Sequence, residues 1–223
     1  MNDILRLHEH HVDALTRTIR ENPWKKGNKA LKQLLAYARI APALEIEPGG
    51  RRVWIWSDLH LQHANIIRHC NRPFDNVDEM DRRLLDAWRA RVGANDLVVN
   101  GGDVGLAGRV TGSILHAVER APGRKLLVAG NHEIDRKTGR VDRHGHDEVG
   151  PMAVLPTDPP LVLTHVPLHA VPDGWVNLHG HVHNNEPPRT PRHLNVCVEH
   201  TGYEPVALND LVELAKKAVA DVD

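Results

Sequence analysis

The sequence has almost no net charge, few cysteines and no long hydrophobic run. Lys and Arg number 28 and Asp and Glu 29, a net charge of -1, so no overall field attracts polyanions or membrane surfaces. The two cysteines, Cys70 and Cys197, are too few for a disulfide scaffold. No apolar stretch approaches the roughly 20 residues that a membrane-spanning helix needs. These absences disfavour membranes and long nucleic acids as partners.

The N-terminal sequence MNDILRLHEHH lacks the cationic start, apolar segment and small-residue cleavage site of a secretory leader. Together with the scarcity of cysteine, this predicts a cytoplasmic protein. Histidine, by contrast, is abundant, with 17 residues. Because imidazole is the commonest metal ligand and titrates near neutral pH, the positions of these histidines carry most of the functional information.

The 223 residues divide into two segments with different patterns of apolar residues. In residues 1–48 apolar side chains recur at three- and four-residue steps, first over 5–19 and again over 31–38, which predicts two helices. The first helix is expected to end at Asn22-Pro23, because the residue before a proline avoids helical geometry. We predict a helical N-terminal extension over 1–48 that packs on the main domain or joins two copies in a homodimer. A single domain is predicted over 49–223.

Short apolar segments and polar, glycine-containing turns alternate along the second segment. The predicted strands cover residues 53–56, 97–99, 126–129, 161–163, 176–178 and 194–198. Helical patterns cover residues 77–92, 109–120 and 208–220. Buried strands with helices between and after them predict an α/β layered fold, in which functional side chains gather at the strand ends.

Five of the predicted strands are followed directly by side chains of the kinds that bind metals. These are Asp58 and His60, then Asp103, then Asn131 with His132, then His165, and finally His181 and His183. The paired residues are two positions apart, a spacing that puts both side chains on one face of an extended chain. Neighbouring glycines allow tight turns, so the loops can converge on one site. The alternative is a set of unrelated, hydrogen-bonded core and loop histidines.

Carboxylate, imidazole and amide groups suit Mn, Fe, Zn, Ni or Co rather than an all-thiolate zinc site. These side chains are too many to be the ligands of one tetrahedral ion. We therefore predict two divalent cations that share a bridging carboxylate, with manganese favoured. Such a pair stabilises the attacking and leaving oxygens of a displacement at phosphorus and lowers the pKa of a bound water.

The ordered motifs resemble those of the calcineurin-like metallophosphoesterase superfamily. They are DLH at 58–60, GD at 102–103, GNHE at 130–133, His165, and GHVH at 180–183. The segments at 63–74 and 195–208 are similar to a subgroup of small bacterial and phage phosphoesterases, so the resemblance covers about residues 49–210. It implies a four-layer α/β/β/α sandwich with a dinuclear metal centre at one end of the sheets.

The resemblance also implies a role for each motif residue. Asp58, His60 and His183 would hold the first metal, Asn131, His165 and His181 the second, and Asp103 would bridge the two. His132 would face the substrate as a general acid. Glu133 would orient ligands or their loop, with an exposed loop carboxylate as the alternative.

Two positions depart from the pattern of protein phosphatases in the superfamily. There, an aspartate that supports the catalytic histidine follows the bridging aspartate by three residues, and an arginine often comes next. In this chain those positions hold Leu106 and Ala107, which weakens a protein phosphatase interpretation.

We therefore predict a manganese-dependent hydrolase that cleaves a small phosphoester, of phosphodiester or nucleotide type. A phosphomonoesterase or a nuclease of the same superfamily is the first alternative. A non-catalytic interaction scaffold is the second, although such scaffolds tend to lose ligands that this chain keeps. Candidates for the pocket rim are His63, Asn65, Arg68 and Arg72, the basic segment 136–146, and Arg189, Arg192 and His193.

Overall fold

The computed structural model describes residues 2–21, 28–185 and 190–220. Its helices are α1 (Asn2–Glu21), α2 (Asn28–Ala38), α3 (Asn65–His69), α4 (Val77–Arg91), α5 (Gly112–Glu119) and α6 (Leu208–Ala220). Asn22 and Pro23, where the first helix is predicted to end, lie outside the described residues, as does Arg189. None of the helices in these ranges is long and apolar enough to cross a membrane.

The strands form two mixed sheets. They are β1 (Leu44–Glu45), β2 (Val53–Trp56), β3 (Leu97–Asn100), β4 (Arg124–Val128), β5 (Glu148–Gly150), β6 (Met152–Leu155), β7 (Leu161–Thr164), β8 (Val176–His179), β9 (His193–Asn195) and β10 (Val206–Ala207). The first sheet has the order β10-β2-β3-β4-β5 and the second β1-β6-β7-β8-β9. These sheets, together with the helices, confirm the predicted α/β fold class.

Neighbouring strands that carry the predicted motifs run parallel. In the first sheet β2, β3 and β4 pair in parallel register, with Trp56 opposite Asn100 and Asn100 opposite Leu127. In the second sheet β7 and β8 are parallel, with Thr164 opposite His179. Because parallel strands end at the same edge of a sheet, the loops that follow them meet there.

The core lies between the two sheets and on their outer faces. Val53 and Ile55 of β2 share one buried cluster with Leu161 and Leu163 of β7, so the sheets pack face to face. The alternate residue Trp56 points to the other side and stacks edge-on against Trp88 of α4, with ring centroids 5.5 Å apart. Strands buried on both faces explain why the sequence shows continuous apolar runs rather than alternation.

The N-terminal helices pack closely on this domain. Leu7 and Ala14 of α1 share a buried cluster with Val154 and Val162, on the outer face of the second sheet. A second cluster joins both helices to three residues next to the ligand motifs: Ala129, Ile134 and Val166. In addition, β1 pairs with β6, so part of the predicted helical extension over 1–48 is a strand of the second sheet. A two-residue strand leaves no detectable sequence pattern.

We expect Leu7→Ala to destabilise the protein by about 2–4 kcal/mol, because it leaves a cavity between α1 and the second sheet. Leu7 is 0% exposed, whereas Leu5 on the same helix is 62% exposed. Leu5→Ala is therefore the matched control, with an expected change within about 0.5 kcal/mol. Urea denaturation of both variants measures the free energy of unfolding. Equal, small losses in the two would mean that α1 contributes little to stability.

Candidate metal centre

The loops after β2, β3, β4, β7 and β8 are hydrogen bonded to one another at one end of the sheets. Within the first sheet, the Asp58 N–H donates to the Gly102 carbonyl at 2.9 Å. Within the second, the Gly180 N–H donates to the His165 carbonyl at 3.0 Å. The sheets are joined by the His181 N–H, which donates to Asp58 Oδ2 at 3.0 Å. The five motifs therefore form one site.

Asp103 lies at the middle of this site, and its two oxygens face different histidines. Oδ2 is 3.7 Å from His60 Nε2. Oδ1 is 3.4 Å from His165 Nε2. The side chain is buried, so the carboxylate stands between two groups of imidazoles away from solvent.

The two groups contain the remaining predicted ligands. On the Oδ2 side, Asp58 Oδ1 is 3.8 Å from His60 Nε2 and 3.6 Å from His183 Nε2. On the Oδ1 side, His165 Nε2 is 3.3 Å from Asn131 Oδ1 and 3.2 Å from His181 Nδ1. The structure thus brings all seven predicted ligands together, divided as the resemblance implies.

These separations fit metal binding. Ligand atoms that share a cation at about 2.1 Å lie about 3.0–3.5 Å from each other, close to the distances in both groups. His60 Nε2 is buried without a hydrogen-bond partner, although two carboxylates stand near it. Buried polar atoms in proteins normally have a hydrogen-bond partner or bind an ion or a water molecule. Groups of His, Asp and Cys side chains at this site could therefore hold a metal ion, among them Asp103 with His165 and His181.

The backbone at the site is unusual. Asp58, His60, Asp103, His181 and His183 all have positive φ angles, between 49° and 71°. A residue with a Cβ pays about 1–2 kcal/mol to adopt this left-handed conformation. Five such residues among seven candidate ligands mark a place where the fold tolerates strain to direct particular side chains, as functional sites do.

Glycines next to the ligands leave room for this convergence. A Cβ on Gly130 would lie 2.3 Å from Asp103 Oδ1, and a Cβ on Gly180 would lie 2.2 Å from Asp58 Oδ2. Neither position can hold a larger residue unless a candidate ligand moves.

The carboxylates and imidazoles strongly perturb each other. Burial works to raise the pKa of Asp103, but His165 and His132 hold it well below its usual range. Burial works to lower the pKa of His165, but Asp103 outweighs it and raises the value to about 9. In His60 burial prevails and the pKa lies well below 6.5. Because a cation must displace the proton from His165, metal affinity should fall as the pH falls.

Comparison with known proteins identifies a family. No family model matches the chain. The uncharacterized protein MJ1445 of Methanocaldococcus jannaschii is 32% identical over 173 residues, which cover 75% of this chain and 93% of the archaeal protein. The chain belongs to the family of this archaeal protein.

Two further matches are more limited. The gene 66 protein of Mycobacterium phage L5 is 40% identical over 83 residues, 36% of this chain and 39% of the phage protein. The crystal structure of AQ665 from Aquifex aeolicus, a protein of unknown function, superposes with a TM-score of 0.60 at 22% identity, over 74% of this chain and 99% of that one. This structural likeness concerns the fold alone, and none of the three names states an activity.

A buried ion pair behind His183 is the main feature of the site that the sequence did not reveal. Glu199 Oε1 accepts from His183 Nδ1 at 3.0 Å, which leaves His183 Nε2 directed toward Asp58. A carboxylate behind a ligand imidazole fixes its tautomer and ring orientation. The same oxygen lies 2.8 Å from the guanidinium of Arg72. No motif spacing points to Glu199, because it lies sixteen residues beyond His183 in sequence.

The expectation that Arg72 lines the rim of the pocket is wrong. Its side chain is fully buried and donates to the Leu59 carbonyl at 2.8 Å and to the Asp58 carbonyl at 2.7 Å, besides Glu199. The guanidinium therefore anchors the backbone of the first motif and is not accessible to a substrate. Of the other rim candidates, Arg192 donates to the Pro172 carbonyl at 3.0 Å, and His193 Nε2 lies 2.8 Å from the Leu168 carbonyl.

Glu133 joins two of the ligand loops. It is buried, and its carboxylate accepts hydrogen bonds from the backbone N–H groups of Asp103, Val104 and Gly130 at 2.7–2.8 Å. This arrangement favours the predicted orienting role over an exposed loop carboxylate. Cys197 also differs from a plain buried hydrophobe, because its thiol donates to Asp58 Oδ2 at 3.2 Å.

His132 differs from the candidate ligands in its exposure. Its N–H donates to Asp103 Oδ1 at 2.8 Å, and its ring Nε2 lies 3.8 Å from Asp103 Oδ2. The side chain is 21% exposed, against 2% for His60. It lines an open cavity of about 480 Å³ together with Leu106 and Ala107. His132 therefore stands between the buried centre and solvent.

We expect Glu199→Gln to weaken binding of Mn²⁺ by about 10- to 100-fold, because His183 loses the charge that orients it. The measurement is isothermal titration calorimetry on chelator-stripped protein, with near-ultraviolet circular dichroism to verify folding. Glu204→Gln is the matched control, since Glu204 pairs with Arg91 at the surface. Equal Mn²⁺ affinity in both folded variants would contradict the orienting role of Glu199.

A pH-dependent effect is expected at Asp81 of α4, whose two oxygens accept from the Gln62 N–H at 3.1 Å. Burial raises the pKa of Asp81 to about 6, although the bond from Gln62 opposes the rise. In the unfolded chain an aspartate has a pKa near 3.9. Ionised Asp81 therefore destabilises the folded state above pH 6. This destabilisation is absent below pH 4, where the carboxyl group is protonated in both states.

Asp81→Asn removes that ionisation. Relative to the parent, we expect its free energy of unfolding to be higher at pH 7.5 than at pH 4.5, by about 1–2 kcal/mol after allowance for solvent screening. Urea denaturation at the two pH values measures the difference. Asp86→Asn makes the same replacement of a carboxyl group by an amide at an exposed position of this helix and is the control. A pH-independent difference for Asp81→Asn would refute the assignment.

Proposed function

We propose that this chain is a metal-dependent phosphoesterase of the calcineurin-like metallophosphoesterase superfamily. The observation that carries the proposal is the position of Asp103, whose two oxygens face two separate groups of buried ligands. A single structural ion would not need a carboxylate directed to both sides. A four-layer α/β/β/α sandwich is the proposed arrangement, supported by the buried clusters between α4 and the first sheet, between the two sheets, and between α1 and the second sheet.

Asp58, His60 and His183 would hold one divalent cation and Asn131, His165 and His181 the other, with Asp103 between them. When bound, the two ions would polarise the phosphoryl oxygens and lower the pKa of a water molecule. Manganese is the proposed metal, since the donors are imidazole and oxygen groups. We infer a cytoplasmic location from the free thiols of Cys70 and Cys197.

His132 is the proposed general acid. Its Nε2 faces the centre and its ring lines the cavity. A proton at Nε2 can therefore pass to the leaving oxygen of a substrate that enters the cavity. Asp103 accepts from the His132 backbone N–H and so holds this residue beside the candidate metal centre. Glu133 and the Arg72–Glu199 pair keep the ligand loops in position. A small phosphoester, of diester or nucleotide type, is the proposed substrate.

The test is the rate of hydrolysis of bis-p-nitrophenyl phosphate after chelator stripping and addition of Mn²⁺. We expect turnover that depends on the metal, and a fall in kcat by about 10²–10⁴ in His132→Ala with Mn²⁺ affinity retained. Asp103→Asn should lose Mn²⁺ binding as well as turnover. His116→Ala, at an exposed helix position, is the control. A Mn²⁺-loaded protein that hydrolyses neither this diester nor p-nitrophenyl phosphate would refute the proposal.

A further inference from the structure

The cavity beside His132 has a second wall that the proposed chemistry does not use. Arg109, Arg136 and Lys137 line the cavity together with His132 and the candidate ligand Asn131. All three side chains are exposed. The cavity therefore combines residues of the candidate metal centre with a cationic wall of three exposed side chains.

The positive charge of these three side chains is only partly neutralised by a neighbouring carboxylate. Among the described residues that line the cavity, Asp135 is the one carboxylate. Its Oδ1 already accepts from the Lys137 and Thr138 N–H groups and from the Thr138 hydroxyl, at 2.8–2.9 Å. Asp135 therefore closes the turn that carries Arg136 and Lys137. Three cations against one carboxylate leave a net positive wall.

Both cationic segments are attached to the motif that carries His132. The Ala107 N–H donates to the His132 carbonyl at 2.8 Å, which places Arg109 two residues away on the same loop. Arg136 and Lys137 lie at the tip of a hairpin, which is closed by a bridge between Ile134 and Val141. Ile134 is buried in the cluster with α1 and α2, so the hairpin has a fixed base. The cations therefore stand at a defined position relative to the general acid.

A substrate with a single phosphate would leave this wall without a counter-charge, because its phosphate would lie at the metal centre. We propose that the cavity binds a second phosphate group, so that the substrate is a nucleotide-type phosphoester that carries a further phosphate beside the one that is cleaved. This inference rests on the proposed function. It adds a specificity site formed by Arg109, Arg136 and Lys137, whose exposed charges attract phosphate.

The kinetic test uses two substrates with the same leaving group. One is the p-nitrophenyl ester of thymidine 5′-phosphate, and the other is the same ester with an added 3′-phosphate. For the parent protein we expect kcat/KM to be about tenfold higher for the substrate with two phosphates, mainly through KM. This preference should decrease as salt is added, because the cations are exposed.

The variant Arg109→Gln/Arg136→Gln/Lys137→Gln should lose the preference, so that the ratio of the two kcat/KM values approaches one. Arg140→Gln is the matched control, because Arg140 belongs to the same hairpin but lines the neighbouring cavity. It should keep the ratio of the parent protein. Equal kcat/KM for the two substrates in the parent would overturn the inference and leave the proposed function intact.

A binding measurement separates this inference from the proposed function if turnover fails. Isothermal titration calorimetry compares thymidine 3′,5′-bisphosphate with thymidine 5′-phosphate on the Mn²⁺-loaded protein. We expect the bisphosphate to bind about tenfold more tightly to the parent and equally to the triple variant. Equal binding of the two ligands to the parent would overturn the cationic site, whatever the rate on bis-p-nitrophenyl phosphate.

Discussion

The buried carboxylate of Asp103 is the constraint on which the rest of the site depends. A charge inside a protein is tolerated only where nearby groups compensate for it, and here the compensation comes from imidazoles on both sides. His60 and His165 belong to different sheets, at the ends of loops that follow β2 and β7. The two sheets, packed face to face, must therefore end close together at this point, and the packing of the core between them keeps Asp103 between their loops.

That arrangement costs backbone free energy, and buried polar contacts offset it. The left-handed conformations of Asp58 and Asp103 would relax if their loops were free. Arg72 prevents this at the first motif through the carbonyls of Asp58 and Leu59, and Glu133 prevents it at Asp103 through three backbone N–H groups. The helices α1 and α2 add apolar support behind the same loops. Residues far from the centre in sequence thus determine its geometry.

The sequence predicted those parts of the structure that depend on local pattern. The strands before the five motifs were recognisable because they are short apolar runs that end in glycine-containing turns, and the seven candidate ligands follow from their positions at those ends. β1 and β10 have two residues each, too few for a pattern. The sequence did not predict the structural roles of Arg72 and Glu199, because charged side chains are expected at the surface and their burial depends on the tertiary fold.

The charge distribution links the centre to the choice of substrate. Within the centre, carboxylates and imidazoles lie close together and most are buried, so a bound cation would be held strongly. Outside it, Arg109, Arg136 and Lys137 are exposed and their attraction for anions is screened within about 10 Å at 0.1 M salt. Because the whole chain has a net charge of -1, no overall positive field adds to the attraction of these three residues. A short, multiply charged phosphoester can lie within reach of these three cations, whereas most of the charge of a long polyanion would lie beyond the range of their attraction.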